Sequence, residues 1–508
     1  MSAGNVLRLI VRRVSPAAAA AAGVFLITVF ALFVPPFIGM ADNGDFFRIL
    51  YGNGLYFNAP DYDSQYFGYF VKTFGVLQYY NENGDALFSS QTLFIRMAML
   101  LNGLFHSSAV FDIRFQTAIF TVLYTIAVFL LVEAVTWRLS RKIGYVIAAL
   151  ALFMFADTGY TAYFSSFYSE SVVMITAMLV IASGLLLYRN RYNDYVMLAV
   201  FAVSALILTT SKQQNAPVGL IIGFAGAILI WLRPGRTYRT IAAGIMVGLF
   251  AAGIGTYTLI PKEFVNINQY HAMTRGVLMD STDPEATLKT FGIDKQYAVL
   301  NRSNHYLAYT TVDVNSEVLE KEFYSKYGFV SILTYYMGHL DQAGKMLNLA
   351  ARSGFTIRPP AMGNYELSVG KPFGTQTSFF SGYSVLKDAL APKTFGFIII
   401  WTLLVVGMYM PSFVEAARSG HVRHMVRTPL MTMMILVGLS GILVSIIGAG
   451  DADLSKHEFL FTASFDLVTF LTLADLLGRR MFRNPEPDPE PEAGPRPVLE
   501  QKGAVALS

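Results

Sequence analysis

Two carboxylates three residues apart, Asp42 and Asp45, follow the first long apolar stretch, joined by Asn43 and Gly44 and followed by Arg48. If the segment opens a helix, both project to one side. A carboxylate at a helix start facing a half-buried cavity has the makings of a general base. The same residues serve equally as an N-cap and turn. Glu170 closes Tyr163-Phe164-Ser165-Ser166-Phe167-Tyr168-Ser169-Glu170, whose rings could stack on a sugar and whose hydroxyls could bond it. An interfacial aromatic belt with a carboxylate at its rim is the commoner meaning of such a stretch taken alone.

The cationic candidates are fewer. Thr209-Thr210-Ser211-Lys212-Gln213-Gln214-Asn215 places one lysine and three amides in a turn between apolar segments. Such a lysine offers a point charge to phosphate, or snorkels from a helix end. Lys456-His457-Glu458 precedes the last apolar segment, and a lysine beside a histidine there suits an anionic headgroup. His271 and Arg275 stand four residues apart on one predicted helical face, where ordinary surface packing explains them as well. Asp466 and Asp475 lie inside the last apolar segment, where a charge is expensive without a partner cation.

The elements that must position these groups are membrane helices. Of the 508 residues 54% are hydrophobic and only 14% charged, against about 25% charged in soluble domains. Apolar runs near the ~20 residues a bilayer span requires recur at 17–38, 115–135, 143–157, 172–188, 195–210, 216–232, 240–260, 395–411, 429–449 and 459–477. The fold class expected is an all-α polytopic membrane protein of about ten spans. The run at 17–38 follows Arg8, Arg12 and Arg13 as a signal peptide would. Its length and the Pro35-Pro36 in place of a cleavage site mark an uncleaved first span.

Basic residues set the expected orientation. Arg138, Arg141 and Lys142, Arg189 and Arg191, Arg233, Arg236 and Arg239, Arg418, Arg423 and Arg427, and Arg479, Arg480 and Arg483 join the N-terminal arginines on one face. The short connections of the other face carry only Lys212 and Lys456. Both termini are therefore expected in the cytoplasm, and every candidate named above on the outer face, except the two intramembrane aspartates.

Four regions follow: an N-terminal membrane module, 1–260, with a first outer loop at 39–114; an outer domain, 261–393; C-terminal membrane helices, 394–480; and a tail, 481–508. In the outer loop, 92–105 has helical periodicity and is expected along the interface. In the outer domain, 284–290 and 316–326 carry helix-start signals and 329–351 reads as one amphipathic helix. The tail, with six prolines among acids, is expected to be disordered.

Several chemistries are excluded or unsupported. The chain has no cysteine, hence no disulfide, thiolate metal site or cysteine nucleophile. A net charge of +4 gives nucleic-acid binding no electrostatic basis. No HExxH, P-loop or GxGxxG-to-helix motif is present.

A first span ending in Asp42-Asn43-Gly44-Asp45-Phe46-Phe47-Arg48 resembles the opening of bacterial polytopic glycosyltransferases of the GT-C superfamily, in particular the WsfD-like glycan-biosynthesis hexose transferases. Tyr168-Ser169-Glu170, Ser211-Lys212-Gln213-Gln214-Asn215, Gly276-Val277-Leu278-Met279, Phe291-Gly292-Ile293 and Lys456-His457-Glu458-Phe459 follow in matching order. Tyr335-Tyr336-Met337-Gly338-His339-Leu340 departs from the pattern by lacking a His-Pro. The resemblance implies a GT-C-like fold and an enzyme of the bacterial cytoplasmic membrane. Such an enzyme takes a hexose or other sugar from a polyprenyl-phosphate donor to a glycan or lipid-linked acceptor outside the cytoplasm.

On that resemblance Asp45 or Asp42 is the expected base of an inverting displacement, and Glu170 orients the acceptor or a sugar hydroxyl. Lys212, Lys456, His457 and Arg275 meet the donor phosphate. Arg48, Gln213, Gln214, Tyr168 and His271 complete the substrate contacts. No cofactor or resident metal is expected, although the carboxylates are compatible with a divalent cation. The rival classes are a flippase or transporter of lipid-linked glycans, which would favour internal repeats and midplane polar groups, and a glycan polymerase.

Overall fold

The computed structural model describes residues 13–84, 88–307 and 310–481. Arg8, Arg12, Arg483 and the proline-rich tail beyond Met481 lie outside the described residues.

All ten expected spans are helical. Eight are long and apolar enough to cross a bilayer: α1 (Pro16–Phe33), α3 (Arg114–Thr136), α5 (Glu170–Arg189), the stretch Gln213–Trp231, α8 (Arg236–Thr258), α14 (Phe395–Ser419), the stretch Val422–Ala449 and α16 (Phe459–Leu477). The stretch Gln213–Trp231 contains α7 (Ala216–Ala225), and Val422–Ala449 contains α15 (Arg427–Ala449). The remaining two are shorter. Residues 195–210 form α6 (Asp194–Thr210), and 143–157 form α4 (Arg141–Phe155), which bends by 51° into Thr158–Ser165. Local sequence sets several boundaries. Ser15 caps α1 by accepting the Ala18 N–H at 3.1 Å, ahead of Pro16. Asn190 ends α5 in the left-handed conformation.

Each apolar helix buries a different share of itself. In α5 nearly every residue is enclosed, so this helix is the bundle's axis, whereas α14 leaves most of its surface outward, as a lipid-facing helix would. At the end away from the candidate site, arginines gather on few acids. Arg233 and Arg423 share Asp194 at 2.6 and 3.1 Å, and buried Arg427 and Arg189 flank Asp475 at 3.6 and 3.5 Å.

The two insertions sit at the opposite end. The first contains small strands. β1 (Ile38–Met40) runs straight out of α1, and β2 (Leu55–Tyr56), β3 (Thr73–Val76) and β4 (Val110–Asp112) form an antiparallel sheet ahead of α3. Between them α2 (Gln91–Phe105) takes up the periodic stretch expected at 92–105. The second insertion holds α9 (Lys262–Ala272), α10 (Pro284–Thr290), the single-turn pieces Glu317–Glu322 and Tyr324–Lys326, α11 (Phe329–Gly338), α12 (Leu340–Gly354) and α13 (Gly382–Leu390). Its β5 (Met362–Tyr365) pairs antiparallel with β1, Ile38 opposite Tyr365. Its own apolar core, including Leu288, Phe323 and Phe355, is continuous with Ile442 and Ile446 of α15 and Phe461 of α16.

One expectation is corrected here. The single helix expected over 329–351 breaks at His339, whose φ of −129° and ψ of 66° are not helical. Gly338, a poor helix former, precedes the break. The His339 ring stacks on Tyr335 with centroids 4.0 Å apart, and its Nδ1 lies 2.8 Å from the Tyr335 carbonyl, which holds the corner.

Candidate functional site

The turn between β1 and the short helix Phe47–Leu50 separates the roles of the two early aspartates. Asp42 is buried. Its Oδ1 accepts the backbone N–H groups of Gly44, Asp45 and Phe46 at 2.8, 3.0 and 3.2 Å, and its Oδ2 accepts the Tyr62 hydroxyl at 3.1 Å. Burial pushes its pKa up against the pull of these four donors. Both oxygens are thus engaged in shaping the turn, and Gly44, at φ +91°, supplies the left-handed step that reverses it.

Asp45 projects from the tip of that turn and is partly exposed. Its Oδ1 pairs with Arg48 at 3.2 Å and its Oδ2 with the Lys456 ammonium. Burial alone would raise its pKa, but Lys456 and Arg48 together hold it below the ordinary aspartate value.

Lys456 reaches Asp45 from the connection between α15 and α16. That connection folds back because Gly450, at φ +61°, lies so close to the Arg275 carbonyl that a Cβ would meet it at 2.6 Å. Asp453, also left-handed, then starts the turn Leu454–His457. The Lys456 ammonium lies 4.1 Å from the centre of the Tyr168 ring and 3.7 Å from Asp453. Burial opposes its charge, but Asp45, Asp453 and Glu170 outweigh burial and raise its pKa. His457 is different. Burial and the two lysines push its pKa far down, so the imidazole is neutral and adds no positive charge.

Beside this pair stands a second one. Lys212, after α6, bonds Glu170 at the start of α5 at 3.2 Å, and the second Glu170 oxygen is enclosed without a hydrogen-bond partner. Asp45, Arg48, Lys456, Asp453, Lys212 and Glu170 therefore form one cluster where four separate stretches of the chain meet.

The other expected residues take supporting places. The Tyr168 hydroxyl accepts the Asn43 N–H at 2.9 Å and donates to the Asn43 side chain, which makes Tyr168 the floor of the turn. Gln213 donates to the Phe88 carbonyl at 2.8 Å, tying the first insertion to Lys212. Gln214 donates to the Ser445 hydroxyl and the His457 carbonyl at 2.6 and 2.7 Å. Arg275 lies in the wide turn Met273–Val277 and is paired with Asp451 at 2.7 Å, whereas His271 contacts Asn304 at 3.1 Å and accepts the His305 N–H. The two engage different partners, Arg275 an acid and His271 the segment at Asn304 and His305. Among the described residues no group of three or more His, Asp or Glu side chains is arranged to hold a metal ion.

Residues 5–493 match the family described as the YfdI N-terminal transmembrane domain. The chain belongs to that family. No curated protein matches it. The match runs from before α1 to beyond α16, so both insertions and all the cluster residues belong to the YfdI-type transmembrane domain.

Three contributors to the site went unassigned in the sequence. Asp453 and Asn43, whose side chains bond each other at 3.0 Å, stand beside assigned residues, and that adjacency was the available signal. Tyr306, from the second insertion, receives a hydrogen bond from Arg48 at 2.6 Å. Nothing in its surroundings marks it, since a contact spanning 258 residues leaves no local pattern.

Proposed function

We propose that this protein is a membrane glycosyltransferase that moves a hexose or other sugar from a polyprenyl-phosphate donor to a glycan or lipid-linked acceptor on the extracytoplasmic face of a bacterial cytoplasmic membrane. The observation that carries this reading is Asp45, a partly exposed carboxylate held between Arg48 and Lys456, with Lys212 and Glu170 alongside. The order of motifs shared with GT-C glycosyltransferases and the bias of arginine away from the cluster support the orientation, with both termini cytoplasmic.

The chemistry follows from the charges. The donor's phosphate is the leaving group, already anionic, and needs cations rather than a general acid. Lys456 and Lys212 are placed to meet the charge that grows as the anomeric C–O bond breaks. The acceptor hydroxyl oxygen forms the new bond from the opposite side, with inversion, and its proton passes to Asp45. At rest Lys456 caps Asp45 and holds its pKa low. An incoming phosphate competes for Lys456, and a carboxylate that loses its cation becomes a stronger base. The donor thus activates the base by binding. Asp42 shapes the turn that presents Asp45.

The test is transfer of label from radiolabelled polyprenyl-phosphate hexoses by the protein in nanodiscs. Asp45→Asn is expected to retain the fold and lose activity ~100-fold or more, the scale of general-base catalysis, and Lys212→Ala to lose activity as well. Full activity in Asp45→Asn would move the base to Glu170 or Asp42. If no donor is consumed while lipid-linked glycan crosses the bilayer of reconstituted vesicles, the protein is a flippase and the transfer reading is lost.

A further inference from the structure

Three short helices of the two insertions leave a row of large apolar side chains uncovered. On α2, Leu93, Met97, Leu100 and Leu104 follow one another at helical spacing and are all exposed, Leu104 by 68%. On α11, Val330, Leu333 and Met337 do the same, with Val330 74% exposed. On α13, Leu386 and Leu390 are one turn apart, and Leu390 is 70% exposed. Scattered exposed leucines need no explanation, but continuous rows on separate helices mark surfaces that something covers.

All three rows begin or end where a bilayer-spanning segment does. The start of α2 is bonded to the end of α6, the Ser90 N–H to the Thr210 carbonyl at 3.0 Å and the Ser89 hydroxyl to the Ser211 carbonyl at 2.7 Å. α11 packs against α15 near its end, where the Tyr336 hydroxyl approaches Gly276 beside Gly450. α13 ends at Leu390, shortly before α14 starts at Phe395. Each row therefore adjoins the end of an apolar helix of the bundle and lies at the same end as the candidate site.

We infer that α2, α11 and α13 lie in the interfacial zone of the bilayer leaflet on the site's side, with these rows inserted among the acyl chains. These helices are too short to cross the hydrocarbon core, and a helix with one exposed apolar face buries that face at the membrane boundary. Flanking groups agree with it. Arg96 and Asn102 of α2 point elsewhere, toward Asn53 and the Ser107 and Val110 carbonyls. The consequence is a depth for the site. Ser211, bonded at the head of α2, is followed directly by Lys212, so the lysine's ammonium stands at the level of lipid phosphates.

The chain contains no cysteine, so a single introduced cysteine reports one position only. Leu100→Cys, Met337→Cys and Leu390→Cys, each carrying a nitroxide, would be placed in nanodiscs as the full protein. Collision with oxygen and with a water-soluble nickel complex is then compared with two references: Leu403→Cys on the exposed face of α14 and Glu317→Cys on a polar turn. The expected result is an oxygen-to-nickel ratio at all three positions several-fold above that of Glu317→Cys and approaching that of Leu403→Cys. Access to nickel equal to that at Glu317→Cys would place the helices in water and overturn the inference. Protection from both reagents would mean that protein covers the rows, and would overturn it too. Neither result depends on whether the protein transfers a sugar.

Discussion

Two of the lysine–aspartate pairs among the described residues, Lys387–Asp466 and Lys456–Asp45, differ in everything except composition. Lys387 of α13 bonds Asp466 in the last span at 2.6 Å, and both are buried. The second Asp466 oxygen takes the Tyr160 hydroxyl, and the rings of Phe465 and Phe355 stand 5.2 and 5.8 Å from the ammonium. Lys456 and Asp45, by contrast, share each other with Arg48, Asp453 and the Tyr168 ring, and Asp45 keeps 23% of its side chain exposed. In the first pair every site on the aspartate is filled from within, so it can only hold α13 against the bundle. In the second each charge has an alternative partner within reach, so a ligand can enter by exchange. Burial of a charge therefore does not by itself separate a closed pair from one open to a ligand. Exchangeability does.

The largest effect is expected where no exchange is available. Asp466→Ala strands the Lys387 charge in an apolar site, and removing one member of a buried pair typically costs about 3–5 kcal/mol. Thermal unfolding in nanodiscs should show a large loss of stability. Replacing both partners, Lys387→Met with Asp466→Leu, should recover part of it, because apolar residues of similar volume serve such a site well, while the Tyr160 hydroxyl is left without its acceptor. If the double substitution is as unstable as the single one, the pair does more than hold α13, and the contrast drawn here breaks.

The open pair should respond in the opposite way. Lys456→Met is expected to leave stability nearly unchanged, because Arg48 still neutralises Asp45. Transfer activity should fall about 10²–10³-fold, the usual loss when one preorganised donor to a developing anion is removed. The pH–rate profile would report the same change, its acidic limb moving up as Asp45 loses the cation that holds its pKa down. A stability loss matching that of Asp466→Ala, with unchanged activity in the surviving protein, would make Lys456–Asp45 a second latch.

The sequence made the spans and the cluster partly visible, each for a physical reason. Span length and apolarity are local properties, so all ten segments were legible, including the short 143–157 that proves to bend after Phe155. Ion pairs are not local. Asp45 and Lys456 are 411 residues apart, and what made them findable was that charges near apolar segments are costly and few. The division between Asp42 and Asp45 was not legible, because the cap reading holds for Asp42 alone, and no local pattern shows that Asp45 is the one left to face distant cations. Tyr306 and the break at His339 were invisible for another reason: backbone angle and a distant partner, not residue pattern, decide them.

The smallest expected effect concerns the margin of the open cluster. His271 is buried against Asn304 and His305, and burial, with Arg275 and Arg48 nearby, lowers its pKa from 6.5 to about 4. The folded protein thus prefers neutral His271, whereas the unfolded chain binds a proton near pH 6.5. Stability due to this group is complete above pH 6.5 and declines as the pH falls toward 4. At pH 5.5 the loss amounts to about 1 kcal/mol. Unfolding of wild type and His271→Gln should therefore be compared at pH 8 and pH 5.5. The variant, with no proton to take up, should lose less stability between the two. An equal loss would mean that His271 is already charged in the fold and that the cluster carries one more cation than drawn here. A smaller loss in the variant would show that neutrality at this margin is built in, and that Arg48, Lys456 and Lys212 carry the positive charge of the cluster.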